Sequence, residues 1–343
     1  MNKIKQHILS YTHNELKDLF QEYGLKRYRA IQVLEWIYEK LVFDFDEMTN
    51  ISKSDISLLK ESFSLDMPEI EEKSLSKDGT IKYLFKYPDG ATVETVLMEY
   101  NYGTSVCVSS QSGCKMGCTF CASSYVPFSR NLEGYEITAQ ILKSAQESGK
   151  DIKRCVVMGI GEPFDNYDNL VNFLTIINMK EGFNMGGRRI TVSTCGIVPK
   201  IYDFADLGLQ VNLSVSLHET DDEERSKIMP INRKYKIKDL IEACQYYFEK
   251  TNRQVSFEYA LINGKNDSLE KAEELAKLLK GVMCYVNVIP VNPIEKSKSH
   301  KQSKNISNFC AILKQQGIPV TIRRELGSDI DAACGQLRRR HHV

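Results

Sequence analysis

The chain has 343 residues, 42% hydrophobic and 26% charged, enough for a sizeable core and for more than one structural unit. Forty-five Lys and Arg balance forty-five Asp and Glu, so no global field draws in nucleic acid, and any such binding must rest on local patches. No apolar run reaches signal-peptide or membrane-spanning length, so a membrane role is not expected and the cytoplasm is the expected location.

Residues 1–63 read as a helical unit. "THNE" fits a capping box, with Thr12 as cap and Glu15 reaching back to it. "RYRAIQVLEWIYEKL" places Ala30, Val33, Leu34, Ile37 and Leu41 on one helical face, with Arg27, Arg29, Glu35 and Glu39 opposite. Lys26, Arg27 and Arg29 form a small basic patch, which suits a solvated face as well as a phosphate contact. Residues 64–100 are expected to be a connector built on a β-hairpin, with β-prone runs on either side of Pro88-Asp89-Gly90.

From residue 101 to 326 the pattern alternates. Short β-rich runs occur at "TSVCVSS", "RCVVMG", "RITVST", "VNLSVSL", "VSFEYAL", "YVNVIP" and "PVTIRR". Helix-like segments fall between most of them, at 135–148, 168–178, 236–250, 268–279 and 303–316. Repeated strand–helix units imply right-handed crossovers and a parallel sheet. With too few units for an eight-fold closed barrel, the expected class is α/β, a partial (β/α)6-type TIM barrel. Residues 327–343 form a C-terminal segment beyond the last strand.

Polar motifs sit where these strands end, the face on which parallel β/α architectures build their sites. "GIGEP" follows the second strand, "STCG" the third, "SLHE" the fourth, and "VNP" the sixth. The first strand is followed by Cys114, Cys118 and Cys121, spaced Cys-x3-Cys-x2-Cys. Ten cysteines in a reducing compartment argue against a disulfide framework, and the tight triplet favours a metal site. Cys155, Cys244, Cys284 and Cys310 read as small core residues. Zinc would ask for a fourth Cys or His, and His218 is the available candidate. A four-iron cluster on three thiolates would instead leave one iron open to an exogenous ligand. Gly161 would allow close backbone approach to a ligand, and Glu162 could accept hydrogen bonds from a ligand ammonium. Ser193, Ser216, His218 and Asn292 offer neutral polar groups suited to ribose or amino acid moieties. Two further cysteines stand apart. Cys107 lies on the strand face opposite Val106 and Val108, and Cys334 sits in "DIDAACGQL"; local pattern alone leaves both open as inert thiols.

The triplet spacing, with Phe120 before the third Cys, resembles that of radical S-adenosylmethionine (SAM) enzymes. "CVSSQSGCKMGCTFC", "VVMGIGEPFDNYDN", "RRITVSTCGIVPKI", "SLHETDDEERSKIMPINRKY", "VNVIPVNP" and "GSDIDAACGQLR" resemble the RlmN family of adenosine C2 methyltransferases, and "YRAIQVLEWIYEK" and "FDEMTNISK" its N-terminal RNA-binding domain. The resemblance implies that Cys114, Cys118 and Cys121 hold a [4Fe–4S] cluster, and that Gly161, Glu162, Ser193, Ser216, Leu217, His218 and Asn292 bind SAM. It further implies that Cys334 becomes S-methylated, that Cys107 is its resolving partner, that Glu94 accepts a proton, and that Met158 lies near the methylated cysteine. Adenine C2 is electron-poor, so direct transfer from a sulfonium fails. In the family's scheme one SAM methylates Cys334, and a second yields a 5′-deoxyadenosyl radical that abstracts hydrogen from the S-methyl group. The carbon radical then adds to C2, and attack by Cys107 releases the product, leaving a disulfide to be reduced.

The implied partners are 23S rRNA, tRNA, an electron donor such as flavodoxin or ferredoxin, and a disulfide reductant. Basic clusters for RNA are Lys26, Arg27 and Arg29; Arg188 and Arg189; Lys296, Lys298, Lys301 and Lys304; Arg323 and Arg324; and Arg338 to Arg340. The chain departs from the family text at "CASSYVPFSRNL", at Cys195, where Ser is commoner, and at "LINGKND". Two other readings stand beside this one: a Cfr-like adenosine C8 methyltransferase, and a non-catalytic RNA-binding protein with a structural metal.

Overall fold

The computed structural model describes residues 5–291, 301–332 and 336–337, so Asn292, Lys296, Lys298, Cys334 and Arg338 to Arg340 lie outside the described residues. Its first part is helical. Helix α1 (His13–Glu22) opens with the expected capping box: Thr12 accepts from Glu15 N at 3.4 Å, while Glu15 Oε2 accepts from Thr12 N at 2.7 Å. Helix α2 (Arg29–Tyr38) buries Ala30, Val33, Leu34 and Ile37, the expected face. It stops before Leu41, which has φ +54° and passes its carbonyl to Gln146 of the main unit. Helix α3 (Lys53–Ser62) starts on a Ser52 cap, and the short strands β1 (Gln6–His7) and β2 (Phe63–Ser64) pair in parallel at the base.

The connector is larger than the expected hairpin. Strands β3 (Glu69–Leu75), β4 (Ile81–Lys86) and β5 (Thr92–Tyr100) run antiparallel, and β5 continues antiparallel into β6 (Gly103–Val108). The β4–β5 turn has Gly90 at φ +85° and an Asp89 carboxylate accepting from Ala91 N at 3.0 Å. The polar, mostly exposed β3, "EIEEKSL", gives little alternation, so its place in the sheet depends on pairing with β4 rather than on its own pattern.

After β6 come the two-residue pair β7 (Gln111–Ser112) and β8 (Arg130–Asn131), then helix α4 (Gly134–Ser148), β9 (Ile152–Val157), α5 (Tyr167–Asn178) and β10 (Ile190–Thr194). The chain continues through α6 (Val198–Asp206), β11 (Asn212–Ser216), α7 (Asp222–Ile228), α8 (Ile237–Thr251) and β12 (Val255–Leu261). It ends with α9 (Leu269–Leu278), β13 (Cys284–Pro290), α10 (Ile306–Gln315) and β14 (Val320–Ile322). The ten-stranded sheet has the order β14-β13-β12-β11-β10-β9-β6-β5-β4-β3, with β6 and β9 to β14 all parallel. This is the partial (β/α)6-type barrel with an antiparallel extension, and no ladder joins its two edges among the described residues.

The sheet curls. Arg323, just beyond β14, approaches Met158, just beyond β9, with Nη1 and Nη2 each 3.8 Å from the sulfur. The helix face of the strands (Val106, Val108, Cys155, Val157, Val192, Val215, Phe257, Val286) forms the main apolar core. A second core around Phe20, Val33, Ile37 and Phe63 joins the helical unit to the barrel through Leu142 of α4 and Ile176 of α5.

Candidate active site

One cavity, of about 160 Å³, opens at the carboxyl ends of the parallel strands. Cys114, Cys118, Cys121, Met158, Gly161, Glu162, Ser193, Ser216 and His218 all line it. Leu217 does not: its side chain is buried in the core, and its backbone carbonyl accepts from Arg225 Nε at 2.9 Å.

The cysteine loop is anchored at both sides. Gly113 has φ +84°, and a Cβ there would meet the Pro127 carbonyl oxygen at 2.3 Å, so the 123–130 loop folds directly over it. Ser129 N donates to Ser112 O at 2.7 Å, and Thr119 N to Ile228 O at 3.0 Å, tying the loop to both flanks. Burial pushes the Cys114 thiol up to about 12 and Cys118 well above the usual thiol range. Without a bound cation these thiols are neutral, and iron would displace their protons. The three thiols all border the cavity, where as thiolates they could hold an iron–sulfur cluster.

Gly161 borders the cavity and also meets the cysteine loop. With φ +110° and a Cβ position 2.7 Å from Gln111 Cβ and 2.8 Å from Gln111 N, it is required by approach to the cysteine loop itself. Gln111 Oε1 accepts from Glu162 N at 2.9 Å, so the two loops lock together. Glu162 is buried; its carboxylate accepts from Phe164 N at 3.0 Å and Cys195 N at 2.7 Å, leaving lone pairs for a ligand. Burial pushes this carboxyl up against those hydrogen bonds, so a ligand cation would favour its charged form. Cys195 also borders the cavity.

His218 is a poor metal ligand here. Its Nδ1 accepts from Ala260 N at 2.9 Å, which leaves the proton on Nε2. Burial, with the Arg225 charge adding to it, holds the imidazole down to about 3. Its φ of +58° is secured by Asn266 Nδ2 donating to His218 O at 2.7 Å, and Phe120 meets its ring edge-on at 4.7 Å. The ring is a neutral donor.

Two residues absent from the sequence-level reading organise the site. Arg225 has no exposed surface; it donates to the carbonyls of Cys195, Ser216 and Leu217 at 2.8–2.9 Å and to Asn232 Oδ1 at 2.8 Å. Glu258, on β12, accepts from Ser214 Oγ at 2.7 Å, Ser256 Oγ at 2.9 Å and Asn287 Nδ2 at 2.8 Å. A Glu two positions after Ser256 in an otherwise apolar strand was the available signal.

Cys107 and Glu94 lie beside this cavity rather than in its lining. Val96 of β5 pairs with Cys107 of β6, and Glu94 lies two residues along the same face. Glu94 Oε1 is 3.2 Å from Lys82 Nζ, and both side chains are buried. Cys107 sits in an apolar cluster with Val96, Met98, Ile160, Leu326, Ala332 and Leu337, and Met158 packs against it. The described cysteines are all free thiols. The carbonyl of Leu337 accepts from Ser123 Oγ at 2.8 Å, two residues past Cys121. In the first basic patch, Arg27 pairs with Asp18 at the surface at 2.5 Å, and Arg29 with the less exposed Asp55 at 2.8 Å.

Residues 108–279 match the Radical SAM superfamily, and residues 6–65 match the ribosomal RNA large subunit methyltransferase N-terminal domain. The chain is 53% identical over 338 residues to a probable dual-specificity RNA methyltransferase RlmN of Staphylococcus aureus strain JH9, covering 97% of this chain and 93% of that protein. The match to the protein of that name from strain NCTC 8325 has the same extent. A crystal structure of a radical SAM methyltransferase from Sphaerobacter thermophilus superposes with a TM-score of 0.93 at 44% identity, covering 97% of this chain and 99% of that one.

Proposed function

The chain belongs to the RlmN family of radical SAM RNA methyltransferases, and from that premise we propose that it methylates adenosine C2 in 23S rRNA and in tRNA through an S-methylated Cys334. Membership sets aside a non-catalytic protein with a structural metal. It also implies a [4Fe–4S] cluster and SAM, which together supply methyl transfer and one-electron hydrogen abstraction when bound.

In this reading Cys114, Cys118 and Cys121 hold the cluster, Glu162 accepts from the SAM ammonium, and His218 Nε2, Ser193, Ser216 and Asn292 take its other polar groups. Glu94 would remove the C2 proton from the adduct in which Cys334 sulfur is joined through a methylene to C2, with one electron returning to the redox centre that supplied it so that the ring is again closed-shell. The Cys107 thiolate then attacks Cys334 sulfur; the S–C bond breaks, its electron pair passes to the carbon, and protonation there completes the methyl group. A disulfide remains, and a thiol reductant must reopen it.

The observation that carries this reading is the packing of Ala332 and Leu337, either side of Cys334 in sequence, in the same apolar cluster as Cys107. An electron donor of the flavodoxin or ferredoxin type and a cytoplasmic location complete the proposal. Among the described residues no helix is long and apolar enough to cross a membrane.

Nucleoside mass spectrometry of treated rRNA and tRNA is the test: 2-methyladenosine is expected, and 8-methyladenosine would transfer the chain to the Cfr-like reading. Cys107→Ala should accumulate a covalent RNA–protein adduct, seen as a shifted band that nuclease removes. Full turnover by that variant would remove Cys107 from the mechanism.

A further inference from the structure

The strand pair that carries Cys107 ends in an aromatic and cationic column that the chemistry above does not use. Along β5, Tyr100, Met98 and Val96 share one face, and Val96 lies opposite Cys107. Tyr100 packs against the apolar cluster that contains those residues. It stacks on Tyr102, with 4.9 Å between ring centres and 7° between planes. The Arg154 guanidinium carbon lies 4.9 Å from the Tyr102 ring centre.

This column is open to solvent, since Tyr102 is 60% exposed and Arg154 is exposed as well. Nearby Lys150 and Lys153 are paired with Glu99 and Asp151, whereas Arg154 meets no carboxylate among the described residues. Arg154 is also on the strand face of Val156 and Met158, and Met158 lines the active-site cavity. The positive charges of Arg323 and Arg324 act on Tyr100 from the opposite edge of the curled sheet. Tyr100 lies four residues, about 13 Å of strand, from Val96, at the amino ends of β6 and β9.

An adenosine that reaches a recessed site must leave its stack, and unpaired RNA is recognised by stacking bases on aromatic rings and guanidinium planes. We propose that Tyr100, Tyr102 and Arg154 form a stacking platform for an unpaired nucleotide flanking the adenosine to be methylated. This rests on the RNA methyltransferase reading above. It assigns a surface on the Cys107 side of the barrel, distinct from the N-terminal helices.

The test uses the cluster-containing full chain and a 23S rRNA fragment spanning the peptidyl transferase centre, with 2-aminopurine placed at each nucleotide flanking the target in turn. Stacking quenches the probe at a flanking position. Tyr102→Ala and Arg154→Ala should each weaken binding about ten-fold and relieve the quench, while Tyr102→Phe retains both. Unchanged cluster absorbance and SAM binding separate this effect from misfolding. Quench and affinity that survive both alanine variants overturn the platform, while methylation by the unaltered protein leaves the enzymatic reading standing. An unaltered protein that neither binds nor methylates the fragment overturns both.

Discussion

Arg225 is the residue on which the loops after β10 and β11 meet. Three backbone carbonyls and one side-chain amide receive its guanidinium, and the arginine itself has no exposed surface. Arg225→Gln should therefore lower the unfolding free energy by about 3 kcal/mol, measured by urea denaturation, because buried acceptors are left without donors. Gly161→Ala acts through the backbone instead. Its φ of +110° and the 2.7 Å approach to Gln111 predict a loss of about 1–3 kcal/mol, with weaker retention of iron read by absorbance. At this scale "GEP" and the cysteine triplet were visible in the sequence, and so was the polar character of His218. Its tautomer was not, because the Ala260 N–H that decides it comes from the neighbouring strand.

Among the elements, the β3–β4 turn clasps the C-terminal segment. Gly327 N donates to Asp78 Oδ2 at 2.8 Å, Ser76 Oγ to Asp329 Oδ1 at 2.5 Å, and Lys77 N to Asp329 Oδ2 at 3.2 Å. Partial burial works against the charge on Asp78, yet hydrogen bonds from Gly327, Thr80 and Ser76 hold its carboxyl down to about 2. Hydrogen bonds from Ser76 and Lys77 also hold the Asp329 carboxyl below the usual range. A depressed carboxyl stabilises the fold above its unfolded value, about 3.8, and that contribution disappears as pH falls toward the folded value. The clasp should thus hold unchanged from pH 5 to 8, with protease cutting near residue 327 rising only below about pH 4. Asp78→Asn together with Asp329→Asn should raise that cutting at neutral pH. No local pattern announced this contact, since its partners are some 250 residues apart.

For the whole molecule, Leu142 of α4 and Ile176 of α5 sit in the core of the helical unit while their neighbours Ile141 and Ile177 sit in the main core, so the helical unit and the barrel are packed together rather than tethered. Calorimetry should show one cooperative transition. Leu142→Ala should lower it by about 2–5 kcal/mol without splitting it into two. The connector, expected as a lone hairpin, is instead three strands of the main sheet. Its middle strands are covered by α4 on one face and by the C-terminal segment on the other, which a half-buried hairpin pattern does not reveal.

The sequence by itself determined the alternating α/β architecture, the α1 cap, the buried face of α2, and the cysteine loop with the polar strand-end motifs around it. These are read from spacing within a few residues, because hydrophobic period, turn chemistry and ligand spacing are local properties. Only the tertiary structure decided the donors and acceptors that Arg225, Glu162 and Glu258 meet, the Lys82–Glu94 ion pair, and the clasp on the C-terminal segment. Each depends on strand register and on crossovers that bring distant segments together, and no window of sequence contains both partners of such a contact.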